Sequence, residues 1–393
     1  MNLLPPPISA PDLALLAGIL GVPKGDDAIA ALRLRLIRQG VSWQRLVQLA
    51  SEHGVLFPLI GASMRAGLLL PVPLKQSAER VTAHPTVQLK AVYQEHLARR
   101  ERQKDQLTAI LKSLNRHDVQ PLLLKGARYL LAPAGDWCES RDMRDIDLLV
   151  HTEKSAQAMG ALIADGYVAD QRPVPLDQHL PELWRCGCPS AVELHIESLS
   201  FSARSYLPTD HLWQQAVPTT TVEGEFLTLP FEGQLLYAVL SSQISDRHYA
   251  QRVLDLKSVW EFAMLARDVS EQDWNKLADD GARRGYADVL ASALLQAVHL
   301  FGAALPSAVT VSSAARAHAF ATLENATVPE WRRRLRSLTD QLTFAFARDT
   351  LAARYRIAPS DVGVATRARH LLFLFGHYRG RIAMRLFGQR GRT

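Results

Sequence analysis

Two carboxylates stand one residue apart in Asp145-Ile146-Asp147, and the chain runs straight on into Leu148-Leu149-Val150. A short apolar run of this kind reads as a buried strand. On a strand, residues i and i+2 point to the same face, so Asp145 and Asp147 project side by side. Parallel carboxylates repel unless a cation lies between them, so removing one charge is expected to raise stability. Hard cations such as magnesium take oxygen ligands of this type. A third acid stands in Val192-Glu193-Leu194-His195-Ile196-Glu197. Alternation there puts Glu193, His195 and Glu197 on one face and the aliphatic residues on the other. Upstream, Leu122-Leu123-Leu124 meets Lys125-Gly126, a cation followed by a residue that lets backbone approach a ligand closely.

These residues need a strand, a glycine turn, a helix start and two further strands to position them. Val119 to Leu124 reads as the first strand and Ala127 to Leu131 as the opening of a helix. After the second strand, Thr152 is placed to cap a helix from Glu153 to Ala164, which Asp165-Gly166 ends. Two strands follow, about 177–186 and 190–200, with Cys186-Gly187-Cys188 as a tight turn between them. Helical periodicity flanks this core. Residues 12–70 read as helices broken at Pro71 and Pro73, and one long helix runs from Thr86 to Asn115 with Arg99 to Lys104 as a solvated face. From Phe231 onward the chain is helical again, with one helix containing Val253 to Met264 and others at about 271–303, 308–325 and 329–354.

The combination LLLKG, an arginine, DIDLLV and then VELH resembles a bacterial family known only as uncharacterised nucleotidyltransferases, within the polymerase-β-like nucleotidyltransferase superfamily. The resemblance covers about residues 35–270. Lys125-Gly126 takes the place of the superfamily's glycine-serine turn, and Arg141 matches the arginine four residues before the first aspartate. Arg144, just before Asp145, departs from the small residue usual there and adds positive charge. The resemblance implies an α+β fold: a small mixed sheet with helices, flanked by N- and C-terminal helical regions. The expected divisions are an N-terminal helical region at 1–104, a nucleotidyltransferase core at 105–205 and a C-terminal helical domain with a basic tail at 206–393.

The implied activity moves a nucleoside monophosphate, AMP from ATP, onto a hydroxyl of a small molecule, peptide or protein, with release of pyrophosphate. Asp145, Asp147 and Glu193 would hold two magnesium ions and carry catalysis. Lys125, Gly126, Arg141 and Arg144 would bind the nucleotide, and His195 and Asp255 would face the acceptor. Asp255 falls inside an apolar helix, where pairing a basic residue is the simpler role. The competing function is a non-catalytic nucleotide-binding module that binds a partner protein through its helical regions.

Composition narrows the classes. The chain has 393 residues, 48% of them hydrophobic and 21% charged, enough for a sizeable core. Its net charge of +6 suits anionic partners without demanding nucleic acid, since the arginines gather in the tail rather than along a groove with aromatics. Three cysteines give no disulfide framework. The proline-rich start lacks a basic leader pattern, and no uncharged apolar run reaches about 18 residues, so a cytoplasmic protein is expected. From Val364 the tail carries seven arginines and no acid around an apolar stretch at Leu371 to Phe375. Such a segment suits either packing on its own domain or peripheral contact with an anionic membrane surface.

Overall fold

The computed structural model describes residues 11–21, 26–38, 43–69, 85–170, 178–201, 203–328, 330–355 and 357–374. The proline breaks at Pro71 and Pro73, the start of the third expected strand and the tail beyond residue 374 lie outside the described residues. The chain packs as two units, residues 1–327 and 328–393.

Seven strands form one mixed sheet: β1 Leu122–Leu123, β2 Asp145–Leu149, β3 Val168–Ala169, β4 Leu183–Trp184, β5 Ala191–His195, β6 Val217–Thr221 and β7 Gly224–Thr228. Their order is β3-β4-β5-β2-β1-β7-β6. The central pair, β2 and β5, runs parallel with Asp147 opposite Glu193 and Leu149 opposite His195. β1 lies antiparallel on the other side of β2 and parallel to β7. The α+β architecture with flanking helices is the one the sequence led us to expect.

Alternation along the central strands sorts the two faces. Leu123, Ile146, Leu148, Val192 and Leu194 share a buried cluster with Leu107, Ile110, Leu111 and Leu114 of the long helix Pro85–Arg116, and with Ala158 and Leu162 of the helix Ser155–Ala164. Leu122, Leu124 and Leu149 belong to a second cluster with Leu236, Trp260 and Leu294 of the helices Phe231–Leu240, Leu256–Leu265 and Ala287–Phe301. Leu13, Leu16 and Leu20 of the first helix, Pro11–Leu20, join this second core. Helices from both ends of the first unit therefore build one body over the face that carries the acids.

Several local readings change. The hairpin β6–β7 was not read from the sequence, although its threonines and valine favour a strand. Asn115 locks it to the long helix: the side-chain amide donates to the Glu225 carbonyl at 2.9 Å, and the Glu225 N–H donates back at 2.9 Å. A Cβ on Gly224 would meet Asn115 Oδ1 at 2.9 Å, so this approach requires glycine. Thr152 does not cap a helix by its side chain; a 3-10 turn, Thr152–Lys154, leads into Ser155–Ala164. The stretch 271–303 is two helices, because Gly285 adopts φ +80° and its N–H closes on the Gly281 carbonyl. The stretch 329–354 is likewise Glu330–Ala345 and Arg348–Tyr355. The 99–104 segment is not a solvated face throughout. Arg100 is buried and donates to the Tyr129 carbonyl at 2.6 Å, and Gln103 donates to Met143 O and Ser190 Oγ. Cys186-Gly187-Cys188 is a turn, with Gly187 at φ +80°.

In the second unit a helix covers 364–374, with Leu371 and Leu372 exposed and His370 fully buried. The His370 ring lies parallel to Phe373 and edge-on to Phe346 and Tyr355. Among the described residues, no helix is long and apolar enough to cross a membrane.

Candidate active site

Asp147 is the centre of the site. It lies in mid-strand on β2, almost fully buried, and two nitrogen donors reach it. Lys125 Nζ donates to Oδ1 at 2.7 Å, and His195 Nε2 donates to the same oxygen at 2.9 Å. His195 Nε2 also lies 3.5 Å from Glu193 Oε2. The parallel register makes this possible, because it sets Glu193 opposite Asp147 with His195 one pleat further on the same face.

The electrostatics follow from this packing. Burial would push the Asp147 carboxyl up, but Lys125 and His195 together hold it well below the usual carboxylate range. Burial would lower the Lys125 ammonium, and Asp147 outweighs that and raises it. Burial likewise opposes the His195 imidazolium, while its bonds to Asp147 and Glu193 raise it. Glu193 falls below its ordinary value despite burial, chiefly through His195. Asp145 behaves oppositely: burial, then repulsion from Asp147, pushes it up.

Ligating atoms of Asp147, Glu193 and His195 lie within 4.8 Å of one another. Asp145 sits two residues earlier on the same face, outside that trio. The carboxylate oxygens suit a hard cation. His195 is completely buried, and its Nδ1 has no hydrogen-bond partner among the described residues. The ring thus meets the acids through Nε2 and faces them, not solvent. Glu197 lies away from the trio, accepting from Thr209 Oγ1 and pairing with Arg204 at 3.5 Å.

The turn at Lys125-Gly126 is tightly built. Lys125 opens the helix Lys125–Leu131 with φ +44°, a left-handed conformation rare for a non-glycine residue. A Cβ on Gly126 would fall 2.2 Å from Arg141 Nη1 and 2.4 Å from Met143 Cγ. Arg141, expected at the phosphates, is buried in an ion pair with Glu261 at 2.9 Å and lies over the Tyr129 ring. Arg144 is exposed directly before β2.

Asp255 is not inside a helix. It is the N-cap of Leu256–Leu265 and accepts from the Ser258 N–H at 3.3 Å, from Ser242 Oγ at 2.8 Å and from Ser258 Oγ. His248 Nδ1 stands 3.6 Å away. Asp255 lines a cavity of about 230 Å³ together with Lys125, Arg128, Arg141, Tyr237, Asp246, Lys257 and Glu261. Sequence reasoning missed Arg128, Tyr237, Asp246 and Lys257, because helices more than a hundred residues away bring three of them to the turn.

An α+β core carrying paired acids on parallel neighbouring strands, with a lysine-glycine turn beside them, is the framework of a nucleotidyltransferase. A family model described as "Uncharacterised nucleotidyltransferase" matches residues 39–302, well over half of the chain, and the protein belongs to that family. Nucleotidyl transfer is thus its general activity, with a nucleoside triphosphate as substrate and a divalent metal as the usual companion. No curated protein and no solved structure matches the chain.

Proposed function

We propose that this enzyme moves a nucleoside monophosphate, AMP from ATP, onto a hydroxyl of a small molecule, peptide or protein and releases pyrophosphate. The observation that carries the reading is Asp147 facing Glu193 across two parallel strands, with Lys125 Nζ on the Asp147 carboxylate. Asp145, Asp147 and Glu193 are the residues that would hold magnesium, as two ions. When bound, magnesium neutralises the attacking and leaving oxygens of an in-line displacement.

The chain's own residues do the rest. The acceptor oxygen bonds to the α-phosphorus as the bond to the pyrophosphate oxygen breaks, and Glu193 takes the acceptor's proton. Lys125 opposes the charge of the departing phosphates, and Gly126 lets backbone approach them. His195 holds the Asp147 carboxylate in one orientation through its 2.9 Å bond. Arg144 adds positive charge from the exposed side, and Asp255 lines the cavity beside Lys125.

A non-catalytic nucleotide-binding module is the second reading. What favours it is that the Asp147 carboxylate is engaged from within the protein by both Lys125 Nζ and His195 Nε2. Pyrophosphate release from ATP separates the two. With magnesium and a panel of hydroxyl acceptors, the wild type is expected to release pyrophosphate and Asp147→Asn to lose at least 100-fold of that rate, on the order of a removed electrostatic stabiliser. Full activity in Asp147→Asn would overturn the site assignment, and nucleotide binding with no turnover across the panel would favour the binding module.

A further inference from the structure

The cavity beside Lys125 holds two cations without counter-ions. It is bounded by the Lys125 turn, the helix Phe231–Leu240 and the start of Leu256–Leu265. Arg128 donates to Gln234 Oε1 and lies 5.5 Å from the centroid of Phe231, while its Nε is buried without a hydrogen-bond partner. Lys257 Nζ donates to the Asp142 carbonyl at 2.9 Å. Neither side chain has a carboxylate within ion-pair distance among the described residues, whereas Lys125 has Asp147 and Arg141 has Glu261. Burial lowers the basicity of both Arg128 and Lys257. A charge partly withdrawn from water without a partner carries a desolvation cost. Four basic side chains around one cavity, two of them unpaired, are the arrangement an anion completes.

The acids of the same wall do not cancel them. Glu261 is committed to Arg141. Asp255 is committed to Ser242, Ser258 and His248. Asp246 remains, exposed on the cavity wall and outside ion-pair distance of both Arg128 and Lys257. At about 230 Å³ the space falls below the roughly 300 Å³ at which pockets enclose whole drug-sized ligands, so it takes part of a ligand. The anionic part of a nucleoside triphosphate next to Lys125 is its phosphate tail.

We propose that this cavity receives the terminal diphosphate of the nucleoside triphosphate, and holds the pyrophosphate product, through Arg128 and Lys257. Arg141 is then a positioning residue, fixed by Glu261 so that it packs against Gly126 and shapes the turn. The inference rests on nucleotidyl transfer as the function of the site, and adds which residues read the leaving group.

Calorimetry with inorganic pyrophosphate tests it on the full chain without metal, in the wild type, Arg128→Gln and Lys257→Met. Pyrophosphate is expected to bind the wild type and to bind each variant at least tenfold more weakly, with orthophosphate weaker than pyrophosphate throughout. Thermal melting supplies a readout that a merely structural role moves the other way. Removing an unpaired, half-buried cation should leave the ligand-free melting temperature unchanged or raise it, and should shrink the upward shift given by pyrophosphate. Unchanged pyrophosphate affinity in both folded variants, or no pyrophosphate binding by the wild type, overturns the proposal. Melting temperatures that fall in both variants while affinity is retained assign them to structure instead. Assaying turnover in parallel keeps the two ideas apart. Turnover with pyrophosphate binding insensitive to both variants sinks the cavity and spares nucleotidyl transfer. Sensitive binding without turnover does the reverse.

Discussion

Asp147 reverses one expectation drawn from the sequence. Two neighbouring aspartates on one strand face suggest repulsion, and hence a gain in stability when one is neutralised. The folded chain instead buries Asp147 between Lys125 at 2.7 Å and His195 at 2.9 Å, so the carboxylate is the counter-charge of the lysine and the hydrogen-bond partner of the imidazole. Removing one member of a buried charge group strands the others. Asp147→Asn keeps the shape and is expected to lose about 3 kcal/mol in denaturant unfolding, near the lower end for broken buried pairs. A gain in stability would show that repulsion from Asp145 dominates. Gly126 carries a second residue-scale requirement. The Cβ of Gly126→Ala would collide with Arg141 and Met143, and overpacking of this kind costs about 1–3 kcal/mol. The same unfolding measurement checks it, and a neutral result would mean that the Met143 side chain gives way. The acids and the lysine were legible because short-range spacing fixes which face they share. The partners that settle their charge were less so: His195 was visible as a strand neighbour, whereas the tie between Arg141 and Glu261 spans 120 positions that no local pattern connects.

At the scale of elements, legibility tracks how local the deciding interaction is. The long helix Pro85–Arg116 was readable to within a residue, because Leu107, Ile110, Leu111 and Leu114 mark one face of its last turns and no glycine or proline interrupts the residues before them. The hairpin β6–β7 was passed over, because short threonine-rich strands owe their place to Asn115 and to β1 more than to their own pattern. The break at Gly285 was a missed glycine signal: a left-handed residue ends one helix and frees Tyr286 to start the approach to the next. Asp255 shows the same limit, since the apolar periodicity around it runs on while the helix begins one residue later. Its capping role makes a pH-dependent prediction. Burial would raise the Asp255 carboxyl, but His248 and the bonds from Ser258 and Ser242 hold it below its ordinary value. A carboxyl depressed on folding contributes stability that is fully present above its unfolded value, about 3.9, and is lost as pH falls through its folded value. Asp255→Ala is therefore expected to cost about 2 kcal/mol near neutral pH, at the upper end for an N-cap. The gap to wild type should narrow below about pH 4. Melting curves between pH 7 and pH 3 check this, and a constant gap would mean that packing, not charge, sets the cost.

For the whole molecule, the sequence suggested helical regions before and after a central core. The first helix shares a buried cluster with helices from 231–301, so residues far apart in the chain close over one sheet face. That closure brings Arg128, Tyr237, Asp246 and Lys257 around Lys125, and it is why these residues could not be read from motifs alone. The family match ends at residue 302, and the first unit runs to Thr327. The second unit has its own small apolar cluster of Leu351, Ala352 and Val362. Such a cluster is far smaller than the first unit's core, and burial at about 25 cal/mol per Å² makes its contribution to the main transition slight. A chain ending at Thr327 is therefore expected to unfold cooperatively in calorimetry, with its main transition shifted by no more than a few degrees. It should also keep wild-type affinity for pyrophosphate and ATP. The arginine-rich stretch from Val364 would then serve something other than the nucleotide site. Liposome sedimentation of the full chain against the shortened one, with neutral and anionic vesicles, reads whether that is an anionic surface. Binding that requires the anionic lipid and the tail, and that weakens with salt, is the signature of charge-driven contact. Loss of the main transition on shortening would show instead that the second unit completes the fold of the first.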